Sequence, residues 1–247
     1  MLLNVAKCSA LSPLQLGVID VWSADLRQLV VDHADCYALL DASERETVAH
    51  LKFQSLRDRY VTTHGILRSL LGSYVQMAPA SLVIHRTLHG KPFLVDYPTL
   101  SFNMSHSSTK LLIAVTEAVS LGVDVEDIKL RTHTAGLVAR CFAPEEQTYW
   151  HALSDAEKMR GFFSFWTRKE AFVKAEGQGI SLGLERCVID PIDPTRFLRI
   201  PIACDSANAW RIMDVEVGVE SCAAVVAKLG TFKVNTFLIS DYLKRLC

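Results

Sequence analysis

Three acidic side chains, in two separate segments, stand where charge is costly and are the natural starting point for any chemistry this chain performs. In Leu121-Gly122-Val123-Asp124-Val125-Glu126 two carboxylates alternate with two valines. As a strand, this segment puts Asp124 and Glu126 on one side, about 6.6 Å apart, and Val123 and Val125 on the other. At an effective dielectric of about 20 the two charges repel by roughly 2.5 kcal/mol, a cost that a bound cation would reverse. Oxygen-only donors suit magnesium, which takes a few carboxylates together with substrate phosphates and water. A half-exposed edge strand with solvated acids would have the same pattern. The third acid, Glu170, lies in a helical segment from Phe162 to Glu176. At 100° per residue Phe162, Phe163, Trp166 and Val173 form one apolar arc, Phe165 and Phe172 extend it, and Lys169 and Glu170 fall inside it. Thr167, Arg168, Ala171 and Ala175 are left as the solvent-tolerant side. A carboxylate in that arc needs a metal, a cation or a raised pKa. Lys174, one turn on, is placed for an ordinary i,i+4 ion pair with it.

Two further segments carry groups suited to an anion. Phe102-Asn103-Met104-Ser105-His106-Ser107 runs a strand into hydroxyls and an imidazole, donors that a phosphate accepts from, although a satisfied turn histidine would read the same way. Gly90-Lys91-Pro92 is a turn carrying a lysine. It is no Walker-type loop, because the glycines that should precede Lys-Ser/Thr are absent.

The elements that must hold these residues are short and mixed. A first strand is expected over 15–22, then a helical stretch capped by Asp41 or Ser43 and reaching about Tyr74, with Arg57, Asp58 and Arg59 charged within it. Strands follow over 82–87 and around 100–104, 111–116 and 121–126. One helix starts near Pro144. Another starts at the capping box Ser154-Asp155-Ala156-Glu157 and runs to about Glu176, before Gly177-Gln178-Gly179. Strands near 186–190, 196–201, 209–217 and 220–228 complete an α+β chain. A join near 117–121 is expected, with no sequence repeat and no Gly/Ser/Pro-rich linker to mark it.

With 247 residues, half of them hydrophobic, and a net charge of −1, the chain has the composition of a globular protein rather than of a general nucleic-acid binder. Its seven cysteines are scattered and never spaced as zinc ligands, which fits reduced thiols. No apolar run reaches the ~18 residues of a membrane span and no basic leader precedes a long apolar region. A cytoplasmic, uninserted protein is expected.

In order and spacing, Gly90-Lys91-Pro92, Phe102-Asn103-Met104-Ser105-His106-Ser107, Leu121-Gly122-Val123-Asp124-Val125-Glu126 and Trp166-Thr167-Arg168-Lys169-Glu170-Ala171-Phe172-Val173-Lys174 resemble the motifs of the surfactin-synthetase-activator (Sfp) type of 4′-phosphopantetheinyl transferase, in its Lys-Glu-Ala branch. The resemblance covers about 90–181, and 41–75 more loosely. It implies two similar α+β modules related by a pseudo-twofold, 1–118 on the coenzyme A side and 119–247 carrying the metal and the catalytic helix, with the active site in the cleft between them. It implies a monomer that transfers phosphopantetheine from coenzyme A to a serine of an apo acyl or peptidyl carrier protein, releasing adenosine 3′,5′-bisphosphate. The implied metal ligands are Asp124, Glu126 and Glu170, holding magnesium or manganese. Glu170, directly or through a metal-bound water, would be the base, and Lys174 would share the catalytic role. Arg59, Lys91, Ser105, His106 and Lys174 would hold coenzyme A. The basic residues that the family often carries early in its first helical stretch are replaced here by Glu44 and Thr47 among Arg45, His50 and Lys52, so Arg59 is the candidate there. A metal-dependent phosphodiesterase built on the same acids, or a module that only binds coenzyme A or a carrier, remain the rival readings.

Overall fold

The structure, a computed structural model, describes residues 10–246. Its first half runs β1 (Val18–Asp25), α1 (His33–Ala38), α2 (Ala42–His50), α3 (Gln54–Val75), β2 (Ile84–Arg86), β3 (Pro92–Leu94), β4 (Leu100–His106) and β5 (Lys110–Glu117). The second half repeats that order: β6 (Leu121–Asp127), α4 (Thr134–Cys141), α5 (Pro144–Ala152), α6 (Asp155–Glu176), β7 (Val188–Ile189), β8 (Phe197–Arg199), β9 (Arg211–Asp214) and β10 (Ser221–Ala227). Strand order repeats as well, β1-β5-β4 in the first half and β6-β10-β9 in the second, each beside a two-stranded hairpin, β2-β3 and β7-β8. The duplication that the sequence hides is plain in the topology.

Local chemistry explains the helix ends. The α2 helix opens on a capping box in which Asp41 accepts from the Glu44 N–H at 2.9 Å and Glu44 accepts from the Asp41 N–H at 3.1 Å. Pro144 takes the first turn of α5, and the Glu157 carboxylate accepts from the Ser154 N–H at 3.2 Å to open α6. The two long helices α3 and α6, 22 residues each, stop at left-handed residues, Gln76 (φ 56°) and Gly177 (φ 72°).

The same device sits at the heart of each half. Arg68, fully buried on α3, pairs with Asp41 and with Glu44 (2.6 Å) and donates to the carbonyls of Pro79 and Leu82. Lys169, fully buried at the matching place on α6, pairs with Glu146 of α5 at 2.7 Å and donates to the carbonyls of Leu184 and Cys187. Glu44 and Glu146 both occupy the third position of their helices. Each buried cation thus finds a carboxylate and two carbonyls, the condition under which such a charge is tolerated.

Two apolar cores belong to the halves and a third joins them. Ile19, Val21, Leu112 and Ala114 meet Val123, Val125, Ala223 and Val225 across the join. The chain crosses it within Ala118–Ser120, Ala118 taking a positive φ of 57°. After β10 it returns: β11 (Lys233–Leu238) pairs in parallel with β1, and α7 (Ile239–Arg245) buries Ile239, Tyr242 and Leu243 in the first core. Residues 233–246 therefore pack with the first half although they follow the join.

Several sequence expectations are corrected. The single helical stretch from Asp41 to Tyr74 is two helices, broken where Leu51 and Phe53 are extended. The short helices α1 and α4, the strands β3 and β11 and the terminal α7 were not anticipated, being brief or weakly patterned. The solvent-tolerant side of α6 does not exist: Thr167, Arg168, Ala171 and Ala175 are all buried, because that side lies on β6 and β10. Lys169, not Glu170, is the charge sunk in the apolar arc, while Glu170 is only part-buried.

Candidate active site

The site is built on a seam between the halves. Strands β4 and β6 run alongside each other at a constant offset without a backbone ladder. Asn103 Oδ1 accepts from the Val123 N–H at 2.9 Å, Ser105 Oγ accepts from the Val125 N–H at 3.3 Å, and Ser107 Oγ donates to Asp127 at 2.7 Å. Residues 103, 105 and 107 share one face of β4 because side chains alternate along a strand. Polar groups at that period stand in for the missing main-chain bonds. These positions are readable in the sequence as alternation, but their partners on another strand are not.

Gly122 sets the third element against this seam. A Cβ at 122 would lie 2.1 Å from the Ala171 carbonyl oxygen and 2.4 Å from the Ala175 nitrogen. Only glycine lets the α6 backbone come that close. The same face of β6 then carries Asp124 beneath Lys174 and brings Glu126 into the company of Glu170.

The expected alternation on β6 holds, with Val123 and Val125 in the joining core, but the reading of solvated edge acids does not: Asp124 is 5 % exposed. Its Oδ1 accepts from Lys174 Nζ at 2.7 Å and from Ser105 Oγ at 2.8 Å, and Lys174 donates to Ser105 Oγ at 2.9 Å, closing a triangle. Lys174 therefore pairs with Asp124 rather than making the i,i+4 pair with Glu170. Asp124 Oδ2 is buried with no hydrogen-bond partner. Burial pushes the Glu170 carboxyl above its ordinary value, and the nearby charges of Asp124 and Glu126 add to the push against Lys174. Burial and Asp124 likewise raise Glu126. Arg131 stands 3.8 Å from Glu126 and lies over the Phe163 ring at 5.2 Å. In this arrangement no three carboxylate, imidazole or thiol groups among the described residues are gathered tightly enough to ligate one ion. The donor chemistry nonetheless fits a hard divalent cation: three mutually repelling carboxylates, one with a buried oxygen left over.

Beside these acids lies a cleft of about 300 Å3 bordered by Lys91, Asn103, Met104, Glu170, Lys174 and Gly177. Lys91 comes from the first half, and its ammonium caps the last turn of α6 by donating to the Ala175 carbonyl. Burial lowers its pKa to about 8. His106 ends β4 at the surface. Surrounding protein and then the charges of Arg59 and Lys174 hold its pKa below the ordinary value. Ser105 is buried with its hydroxyl engaged by Asp124, Lys174 and the Val125 N–H. Asp127 and Glu146 escape sequence reasoning, since each acts on residues distant in the chain, and so does Arg131, five residues past Glu126.

The sequence profile described as the 4′-phosphopantetheinyl transferase superfamily matches residues 120–226, and one described as 4′-phosphopantetheinyl transferase, N-terminal, matches residues 22–134. The chain is 33% identical over 215 residues to the 4′-phosphopantetheinyl transferase HetI of Nostoc sp., covering 86% of this chain and 88% of that one. It is 29% identical over 136 residues to the 4′-phosphopantetheinyl transferase Sfp of Bacillus subtilis, 54% of this chain and 59% of the relative. The L-aminoadipate-semialdehyde dehydrogenase-phosphopantetheinyl transferase of Xenopus laevis is 26% identical over 167 residues, 61% and 54% of the two chains. The two profiles meet at β6, the strand whose acids face α6 across Gly122, and together with the near full-length match they make this chain a member of the 4′-phosphopantetheinyl transferase family.

Proposed function

We propose that the chain is an Sfp-type enzyme of the Lys-Glu-Ala branch that moves 4′-phosphopantetheine from coenzyme A to a serine of an apo acyl or peptidyl carrier protein, acting as a monomer built of modules 1–118 and 119–247, the second lending its tail 233–246 to the first. The observation that carries this reading is Asp124: a buried carboxylate with one oxygen held by Lys174 and Ser105 and the other unpartnered, in a pocket whose other acids it repels. A group so placed favours a further positive charge. Asp124, Glu126 and Glu170 would hold magnesium, or manganese, which when bound supplies charge neutralisation at the pyrophosphate.

The side chains divide the remaining work. Lys91, which borders the cleft, would hold the phosphates of coenzyme A together with His106 and Arg59. Lys174, fixed by Asp124 and Ser105, presents its ammonium to the oxygen that becomes negative as the leaving phosphate departs. Glu170, whose carboxylate burial makes a stronger base, takes the proton of the carrier serine. The serine oxygen then bonds to the β-phosphorus, the bond from that phosphorus to the bridging oxygen breaks, and the electron pair leaves with adenosine 3′,5′-bisphosphate.

The test is mass spectrometry of several apo carrier proteins incubated with the enzyme, coenzyme A and magnesium. A gain of the phosphopantetheine mass on serine, abolished by excess chelator, is the expected result. Breakdown of coenzyme A without any carrier would favour a hydrolase instead, and full modification in chelator would remove the metal from the mechanism.

A further inference from the structure

Asp127, the last residue of β6, faces away from the acids discussed above and holds an unusual set of donors. One carboxylate oxygen accepts from Ser107 Oγ at 2.7 Å, Thr109 Oγ1 at 2.5 Å and Ser221 Oγ at 3.3 Å, and the other accepts from the Ser108 N–H at 2.9 Å. Ser107, Ser108 and Thr109 form the turn between β4 and β5 in the first half, whereas Asp127 and Ser221 belong to β6 and β10 in the second. The carboxylate therefore ties the turn of one half to the sheet of the other. Ser107 Oγ also accepts from the N–H groups of Thr109 (3.2 Å) and Lys110 (3.0 Å), so its lone pairs are engaged and its own proton must go to an acceptor. The carboxylate gives one oxygen to Ser107 and the other to the Ser108 N–H.

This turn immediately follows His106, the last residue of β4. One strand position earlier, Ser105 holds Asp124 and Lys174. The turn is thus the outer anchor of the strand that carries both residues. We propose that Asp127 is a positioning residue of the transferase: by fixing the Ser107–Thr109 turn across the seam it orients His106 for coenzyme A, without touching the substrate itself. The proposal rests on the reading that His106 faces coenzyme A.

The experiment compares Asp127→Asn, Ser107→Ala and His106→Ala in the full chain. An amide at 127 keeps the shape; with its oxygen left to the three hydroxyls, its NH2 faces the Ser108 N–H, so that bond is lost and two donors oppose each other. The readouts are coenzyme A affinity by calorimetry, the split of kcat and KM, the melting temperature, and amide exchange at residues 108–110. Asp127→Asn is expected to weaken coenzyme A binding about tenfold, chiefly through KM, and to speed exchange at 108–110 by at least tenfold, with the melting temperature little changed. Ser107→Ala should do the same to a smaller extent. The double variant Asp127→Asn/His106→Ala should bind coenzyme A no worse than His106→Ala alone, because both act through one contact. Unaltered affinity in Asp127→Asn and Ser107→Ala, with His106→Ala weakened, would overturn the positioning role and leave the functional reading intact. Unaltered affinity in all three would overturn both. Additive losses in the double variant would show that Asp127 supports the fold generally and would also overturn the proposal.

Discussion

At the scale of single residues, the proposed mechanism turns on Glu170. Burial, Asp124 and Glu126 raise its carboxyl above the ordinary 4.5, so the folded chain holds that proton more tightly than the unfolded one. Its contribution to stability is therefore greatest at low pH and declines as pH rises through the interval above 4.5. Glu170→Gln keeps the volume and removes this cost. Thermal melts near pH 7 should show equal or higher stability for the variant and a loss of the acid-side gain, while turnover of carrier protein falls at least ~10²-fold. Near-normal turnover by the folded variant would take Glu170 out of the mechanism. Asp124→Asn should lose activity comparably, and the pair should be little worse than the poorer single change. The acids themselves were legible in the sequence, because alternation with valines and a place within an aromatic helix are local patterns. What each acid touches was not. The i,i+4 rule assigned Lys174 to Glu170, whereas the fold carries it 50 positions back to Asp124. Glu146, the partner of Lys169, was invisible for the same reason.

At the scale of elements, close approach of α6 to β6 decides whether the residues meet. Gly122→Ala would drive a methyl into the backbone at Ala171 and Ala175, which cannot yield as a side chain end can. The expected cost is about 1–3 kcal/mol or more, and the helix must shift on the strand. Denaturant unfolding should register the loss, and activity should fall by more than the unfolded fraction accounts for, since Glu170 and Lys174 ride on the displaced helix. Activity that tracks the folded fraction would mean the site tolerates the shift. The buried pair below α6 gives an independent check on how that helix is held. Removing its acid with Glu146→Ala leaves a fully buried ammonium with two carbonyls and no counter-charge, and a loss of about 3–5 kcal/mol is expected in the same measurement. A loss under ~1 kcal/mol would show that Lys169 simply deprotonates. The element types of the central motifs were readable from period and caps: β6 and α6 start where alternation and Ser154-x-x-Glu157 place them. The face of α6 was misread because helical periodicity counts polar residues as exposed, and here the small and polar side lies beneath a sheet where Ala171, Ala175 and Gly122 are needed for contact. The tail was missed because β11, an exposed edge strand, carries little apolar alternation.

At the scale of the whole molecule, the two halves repeat one design and use it differently. By the matched cations Arg68 and Lys169, positions 170 and 174 of α6 answer to Ser69 and Ser73 of α3, which spend their hydroxyls on Tyr242 of the returning tail at 2.9 and 2.8 Å. One half has that face closed by the returning C-terminal helix, and the other leaves it as the cleft bordered by Glu170 and Lys174. Lys91 reaches from the first half to the end of α6 across that cleft, and its pKa of about 8 makes a prediction specific to the two-module arrangement. The unfolded chain keeps the ordinary value near 10.5, so between about 8 and 10.5 it binds more protons than the folded one, and stability gains with pH over that window. Coenzyme A binding should have the opposite dependence. A phosphate beside Lys91 favours the charged ammonium, so above about pH 8 binding must take up a proton and the Kd should weaken, by up to about tenfold per pH unit. Arginine stays charged throughout, and Lys91→Arg should abolish the alkaline decline even if its affinity at pH 7 is lower. Lys91→Ala should be weaker at pH 7 and flat above it. The measurement is titration calorimetry at pH 7 to 9 in two buffers of different ionisation enthalpy, which reads proton uptake directly. A wild-type Kd that is flat through this range, with no proton taken up, would confine Lys91 to capping α6 and bridging the halves, and would pass the phosphate contact to His106 and Arg59.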